Sequence, residues 1–164
     1  MNEARRKNLI DRMLSLADRL EALVAGLTPE QLGAHPLEGE WSVAQNIHHL
    51  ADTHMVSFAR CKLMLTEDNP DLSAYDPERY AETPDARSTD VAASLALIRA
   101  LHQRWAAFWE SLDETGWGRR GQHPEEGEIT LETVLRLYSM HGEAHIDQIT
   151  RTIAAGQDVQ IPSN

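Results

Sequence analysis

The stretch LETVLRLYSMHGEAHIDQITRT, residues 131–152, decides how the rest of the chain is read. Leu131, Val134 and Tyr138, then Gln148 or Ile149 and Thr152, recur at helical spacing and define one inward stripe. Thr130 is placed to cap this helix, and Gly156 to stop it after about Ala155. In the middle of the stripe, where core residues are expected, stand His141 and His145. An i, i+4 step puts two imidazoles on one helix face, close enough to share an ion. Two neutral imidazoles facing a core need partners, because an unsatisfied buried polar group costs roughly 1–3 kcal/mol. A metal satisfies both, and so do carbonyls or carboxylates. An isolated His-x-x-x-His does not choose between them.

Working outward, three more long helical patterns precede this one. The first runs from about Glu3 to Leu27, with Leu9, Met13, Leu16, Leu20, Leu23 and Val24 at helical spacing. Gly26 closes it, and Thr28-Pro29-Glu30-Gln31 opens a short extra turn. The second begins at Ser42, where Gln45 completes a capping-box pattern, and continues to about Leu65. The third starts near Ser88 to Asp90 and ends near Leu112. Its stripe reads Leu95, Ile98, Leu101, Trp105, Phe108 or Trp109, and Leu112. Those aromatics continue an aliphatic stripe, which makes them core.

The second and third helices are joined by a long connection, Glu67 to Arg87, rich in Pro, Asp and Tyr. Loops of this length inside a compact domain are often functional; the plainer role is a strap across one end of the bundle. Gly116, Gly118, Gly121, His123-Pro124 and Gly127 mark an irregular, turn-rich connection to the last helix. Helices joined without convincing strand runs predict an all-α, four-helix bundle, a single domain over residues 1–164.

Charge excludes several partners. With 15 Lys and Arg against 26 Asp and Glu, the formal charge is −11. That balance disfavours nucleic acid and anionic membranes. The Arg5-Arg6-Lys7 run fits a solvated first helical turn. No stretch approaches the ~20 apolar residues that a membrane span requires. The N-terminal segment is charged and amphipathic, which predicts no secretory signal and a cytoplasmic location. The single Cys61 cannot form an internal disulfide, suits a reducing compartment, and is expected to be a quiet, semi-buried thiol.

The second helix carries His48, His49 and His54. Val43, Ile47, Leu50, His54 and Phe58 form its main stripe and nominate His54 for the interior, whereas His49 shares another face with Val56 and Leu63. A helix in a bundle can be buried on two sides. Periodicity therefore leaves His49 and His54 both open as partners of His141 and His145. His35 and His102 are expected to be structural or exposed.

Trp41-Ser42-Val43-Ala44-Gln45-Asn46-Ile47-His48-His49-Leu50-Ala51-Asp52 resembles the signature of the DinB/YfiT superfamily of metalloenzymes, and Tyr138-Ser139-Met140-His141-Gly142-Glu143-Ala144-His145-Ile146 resembles its second signature. Further similarity to the YfiT branch lies at His54-Met55, Arg60, Lys62, residues 65–70, Tyr75-Asp76, residues 94–97, residues 101–105, His123-Pro124 and residues 129–132. The resemblance spans roughly residues 25 to 155. It implies a four-helix bundle, often dimeric, whose metal ligands fall on His49, His141 and His145. It implies one divalent transition ion per chain, zinc or nickel, and no organic cofactor. Between the last two ligands this chain has Glu143 and Ala144, where YfiT-like chains can be histidine-rich. The implied activity is a metal-dependent hydrolase, or a transferase that moves a low-molecular-weight thiol onto electrophiles in detoxification or stress response. The alternative is a non-catalytic metal-binding module in a stress-linked homodimer. Arg60 and His123 are candidates for lining the small-molecule pocket. Arg60 equally fits a surface salt bridge, and His123 a turn before Pro124.

Overall fold

The computed structural model describes residues 1–158; the last six positions of the single-domain reading, 159–164, lie outside the described residues. In chain order the elements are α1 (Glu3–Val24), α2 (Pro29–Gly33), α3 (Val43–Thr66), α4 (Pro77–Ala81), α5 (Ala92–Glu110), α6 (Glu114–Trp117), β1 (Arg120–His123), β2 (Gly127–Thr130) and α7 (Leu131–Asp158). The four long helices form the bundle. Helix α1 packs against α5 and α7, and α3 packs against the same two, so α1 and α3 lie across the diagonal.

Local chemistry sets the starts of these helices. The Ser42 hydroxyl accepts from the Gln45 backbone N–H, and the Gln45 side chain accepts from the Ser42 N–H at 3.1 Å, closing the expected capping box. Gln45 also donates to the Ala81 carbonyl at 3.1 Å, which ties the start of α3 to α4 in the 67–87 connection. Thr130 accepts from the Thr133 N–H at 3.1 Å and starts α7. That helix runs through Gly156 to Asp158 rather than stopping, since a glycine inside a helix costs only about 1 kcal/mol. Gly142 has a specific task. A Cβ there would come 2.9 Å from Leu16 Cδ2, so its bare backbone lets α7 lie close on α1 beside His141.

The core falls into two apolar clusters. One, around Trp105, Phe108, Trp109, Trp117, Met64 and Leu135, fills one end of the bundle. The other, around Leu20, Ile47, Leu50, Leu95, Ile98 and Ile149, fills the opposite end. Both Phe108 and Trp109 are buried, where periodicity offered one or the other. Cys61 is fully buried in the first cluster, and burial pushes its thiol pKa well up, so it is unreactive.

Two further expectations are corrected. The glycine-marked connection contains an antiparallel hairpin, with Arg120 opposite Thr130 and His123 opposite Gly127. The 67–87 connection adds to its edge: Leu72 N–H donates to the Gln122 carbonyl and Gln122 N–H to the Pro70 carbonyl, both at 2.9 Å. These strands are held by backbone pairing, and neither shows the alternating apolar pattern that marks a strand in sequence. The second correction concerns Arg6, which is buried rather than solvated and ion-paired to Glu114 and Glu132. No helix among the described residues is long and apolar enough to cross a membrane.

Candidate metal centre

Between the two apolar clusters lies a layer of histidines. Helix α7 supplies His141 and His145 from its inner stripe, and α3 supplies His49 and His54. His141 Nε2 lies 3.3 Å from His49 Nε2 and 3.1 Å from His145 Nε2, and the three ligand atoms all fall within 4.8 Å of one another. His48, next in sequence, turns the other way. Its ring nitrogens meet Ser94 Oγ at 2.8 Å and the Ser88 carbonyl at 2.9 Å, joining α3 to the start of α5.

What the three facing nitrogens carry follows from their opposite sides. A carbonyl only accepts, so His102 Nδ1, 2.6 Å from the Met13 carbonyl, holds the proton. His102 Nε2 is then an acceptor, and takes the proton of His54 Nδ1 at 2.7 Å. His54 Nε2 in turn accepts from His141 Nδ1 at 3.2 Å. The relay crosses all four helices, and it ends by leaving a lone pair on His141 Nε2. At His145, Nδ1 donates to Asn46 Oδ1 at 2.7 Å. The Asn46 amide is oriented by donating to the Ser42 carbonyl at 2.9 Å, so His145 Nε2 also carries a lone pair. At His49, the Thr53 hydroxyl lies 3.3 Å from Nδ1 and itself bonds Tyr75. The lock is loosest there.

Every ring in the layer is neutral. Burial pushes His141 and His49 down to about 3, with the neighbouring imidazoles adding repulsion, and burial holds His145 at about 4. Burial also drives His54 well below the usual histidine range, and holds His102 at about 4 against the opposing pull of the Met13 carbonyl. The lone pairs of His141 Nε2 and His145 Nε2 stand 3.1 Å apart with no proton between them, and His49 Nε2 closes the triad 3.3 Å from His141 Nε2. A cation among them fits. Two nitrogens on one tetrahedral zinc ion stand about 3.3 Å apart; the two edges of the triad that meet at His141 measure 3.1 and 3.3 Å, and the third lies within 4.8 Å.

Trp41 covers one side of this triad, stacked on His145 with ring centroids 6.2 Å apart and tilted over His49 at 4.6 Å. On another side a cavity of about 330 Å³ opens against His141. Its wall includes Thr53, Tyr75, Leu72 and Pro77, so the long connection shapes the pocket as well as strapping the bundle. Arg60 and His123, the two pocket candidates, both line it. Arg60 is buried and makes no salt bridge among the described residues, which removes the surface ion-pair reading.

Sequence reasoning left Asn46 unassigned and gave His102 only a structural or exposed role. His102 is 1 % exposed and lies at the heart of the relay. Its signal was present, because Leu95, Ile98, His102, Trp105 and Trp109 share a face at three- and four-residue steps. Asn46 stands three residues before His49, one turn back on the same helix. His35 is exposed, its Nδ1 3.1 Å from the Glu40 carbonyl.

Known proteins share both the fold and the sequence. YfiT of Bacillus subtilis, described as "a probable metal-dependent hydrolase with an unusual four-helix bundle topology", superposes with a TM-score of 0.89 at 36% identity, over 93% of this chain and 87% of that one. The YfiT sequence is 41% identical over 133 residues, covering 80% of this chain and 75% of that protein. A relative from Geobacillus thermodenitrificans, named in similar terms, is 41% identical over 145 residues, 87% of this chain and 81% of its own. A mycothiol-dependent maleylpyruvate isomerase shares the fold alone, with a TM-score of 0.58 at 16% identity over 88% of this chain and 60% of its own. The model of one family, the DinB superfamily, matches residues 13–149, and the chain belongs to that superfamily.

Proposed function

We propose that this protein is a metal-dependent enzyme in which His49, His141 and His145 hold one divalent transition ion, zinc or nickel, and that it acts on a small molecule by hydrolysis or by transfer of a low-molecular-weight thiol onto an electrophile. The observation that carries this reading is the set of three Nε2 atoms converging beside a cavity, with the opposite nitrogens of His141 and His145 committed elsewhere. When bound, such an ion supplies Lewis acidity, which brings water or a thiol to its reactive, deprotonated form near neutral pH.

The remaining work belongs to the chain. Three protein nitrogens, with no fourth protein ligand in the cluster among the described residues, are the pattern of a catalytic site rather than a closed structural one. Trp41 shields the imidazoles from solvent on one side and leaves the cavity as the approach. The hydroxyls of Thr53 and Tyr75 stand between His49 and that cavity, placed to orient a polar atom of the substrate. Cys61 cannot serve as a nucleophile from inside the apolar cluster, so any thiol in the reaction arrives with a substrate. Relatives named for metal-dependent hydrolysis favour water as the nucleophile.

Elemental analysis of the purified protein tests the centre. Near-stoichiometric zinc or nickel is expected, falling to background in His141→Ala and His145→Ala; full retention in both variants refutes the site. Turnover of an ester panel separates hydrolysis from transfer, which is read instead as thiol consumption with a monohalobimane electrophile. Silence in both assays from the fully metallated protein favours the non-catalytic module.

A further inference from the structure

The cavity beside His141 has a second centre of chemistry on its wall. Arg60 reaches it from α3, only 6 % exposed, with no carboxylate paired to it among the described residues. A guanidinium presents five N–H donors and no acceptor. One terminal nitrogen donates to the Ser73 carbonyl, the other faces His123 Nε2 at 3.1 Å, and the buried Nε has no partner among the described residues. His123 deepens this imbalance. Its Nδ1 lies 3.3 Å from the backbone N–H groups of both Glu125 and Glu126, while its Nε2 faces the guanidinium. A neutral imidazole carries one proton, and on either nitrogen that proton points at other donors. The surroundings thus hold a surplus of donors and a buried positive charge without a counter-ion, an arrangement that is costly unless an anion completes it.

We infer that this cavity is the subsite for a small carboxylate, anchored by Arg60 beside His123, with its body against Leu72, Ile129 and Val134 and its far end toward His141. A carboxylate suits better than a phosphate on two counts. Each terminal nitrogen keeps a second N–H beyond its contact with Ser73 or His123, and together these form the planar fork that a carboxylate meets with two oxygens. One negative charge also balances one guanidinium, whereas a dianion would leave excess charge near Glu125 and Glu126, which are exposed at the mouth and make no ion pair with Arg60. The role of the far end rests on the proposed metal centre. The anion site itself rests on Arg60 and His123.

Paired probes separate the two claims. Titrations with 3-phenylpropionate and its neutral amide, followed by protein NMR, are made on the full chain, both zinc-loaded and chelator-treated. The carboxylate is expected to bind about tenfold more tightly than the amide in both forms. Arg60→Met should abolish that preference while amide binding and the folded spectrum stay unchanged. Arg60→Lys keeps the charge without the fork, should retain part of the preference, and decides the matter if Arg60→Met does not fold. A preference seen only with zinc, and kept in the Arg60 variants, means that the carboxylate goes to the metal; it overturns the subsite and leaves the metal centre standing. Equal binding of acid and amide in both forms also overturns it. An Arg60-dependent preference in a protein that takes up no zinc or nickel supports the subsite and sinks the metal reading instead.

Discussion

The apolar ends of the bundle and the histidine layer between them are buried alike, yet they are held together by opposite means. In the end around Trp109, rings stack on one another: Trp105 and Trp109 at 5.6 Å, Trp109 and Trp117 at 5.5 Å. Such contacts depend on ring shape and packed volume rather than on where any proton sits. In the layer, the nitrogens of one imidazole fix the roles of the next, from the Met13 carbonyl through His102 and His54 to His141. The ends depend on volume and the layer on proton placement. Heat or a cavity threatens the first, and a misplaced proton threatens the second.

Acid should break the layer first. Each of the five imidazoles has a folded pKa below its unfolded value near 6.5, so the unfolded chain binds more protons as the pH drops. Their contribution is whole only well above about pH 6.5 and drains as the pH falls toward 3 to 4. Each costs up to about 1.4 kcal/mol per pH unit below 6.5, so together they exceed any single core deletion. Urea titrations of the chelator-treated protein at pH 7.5, 6.5 and 5.5 should show a loss of about 2 kcal/mol over the first step and about 5 kcal/mol over the second. A flat profile would mean that the layer is not neutral and desolvated.

Cutting into an apolar end should cost less and should ignore the metal. Trp109→Ala, at a site 1 % exposed, is expected to lower stability by about 3–5 kcal/mol, equally with zinc and with chelator. A loss that differed between the two conditions would tie this end to the site and erase the contrast drawn here.

The same contrast explains what could be read from the chain alone. Helices α1, α3, α5 and α7 announce themselves through stripes and caps such as Ser42 with Gln45, because apolar burial needs only spacing. His141 and His145 were legible as intruders in such a stripe. Whether His49 or His54 joined them was not, since both are buried on α3 and differ only in which neighbour each ring nitrogen meets. Resemblance to the family signature pointed to His49, and the geometry places His54 directly behind His141. The anion-seeking character of Arg60 was equally hidden. Sequence places no strap residue against it, and only the fold brings Ser73 and His123 there with no carboxylate paired to the guanidinium among the described residues. The hairpin escaped because β1 and β2 are joined through backbone groups that every residue carries.

The finest test addresses His54, which belongs to the layer by its protons and to the core by its burial. His54→Phe fills the space with an apolar ring and deletes the acceptor for the His141 Nδ1 proton. If volume were all that mattered, the variant would hold metal as well as the natural protein. Because His54 Nε2 is what turns the His141 lone pair toward His49 and His145, affinity should fall by about 10–100-fold, the usual effect of removing a partner behind a metal ligand. Competition against a zinc chelator of known affinity measures this without any catalytic assay, and quenching of Trp41 by nickel gives a second readout from beside the triad. His102→Phe should act in the same direction but less strongly, since it leaves His54 in place and removes only the group that fixes its proton on Nδ1. Reversal of that order, with His102 mattering more than His54, would mean that the relay serves the bundle rather than the ligand.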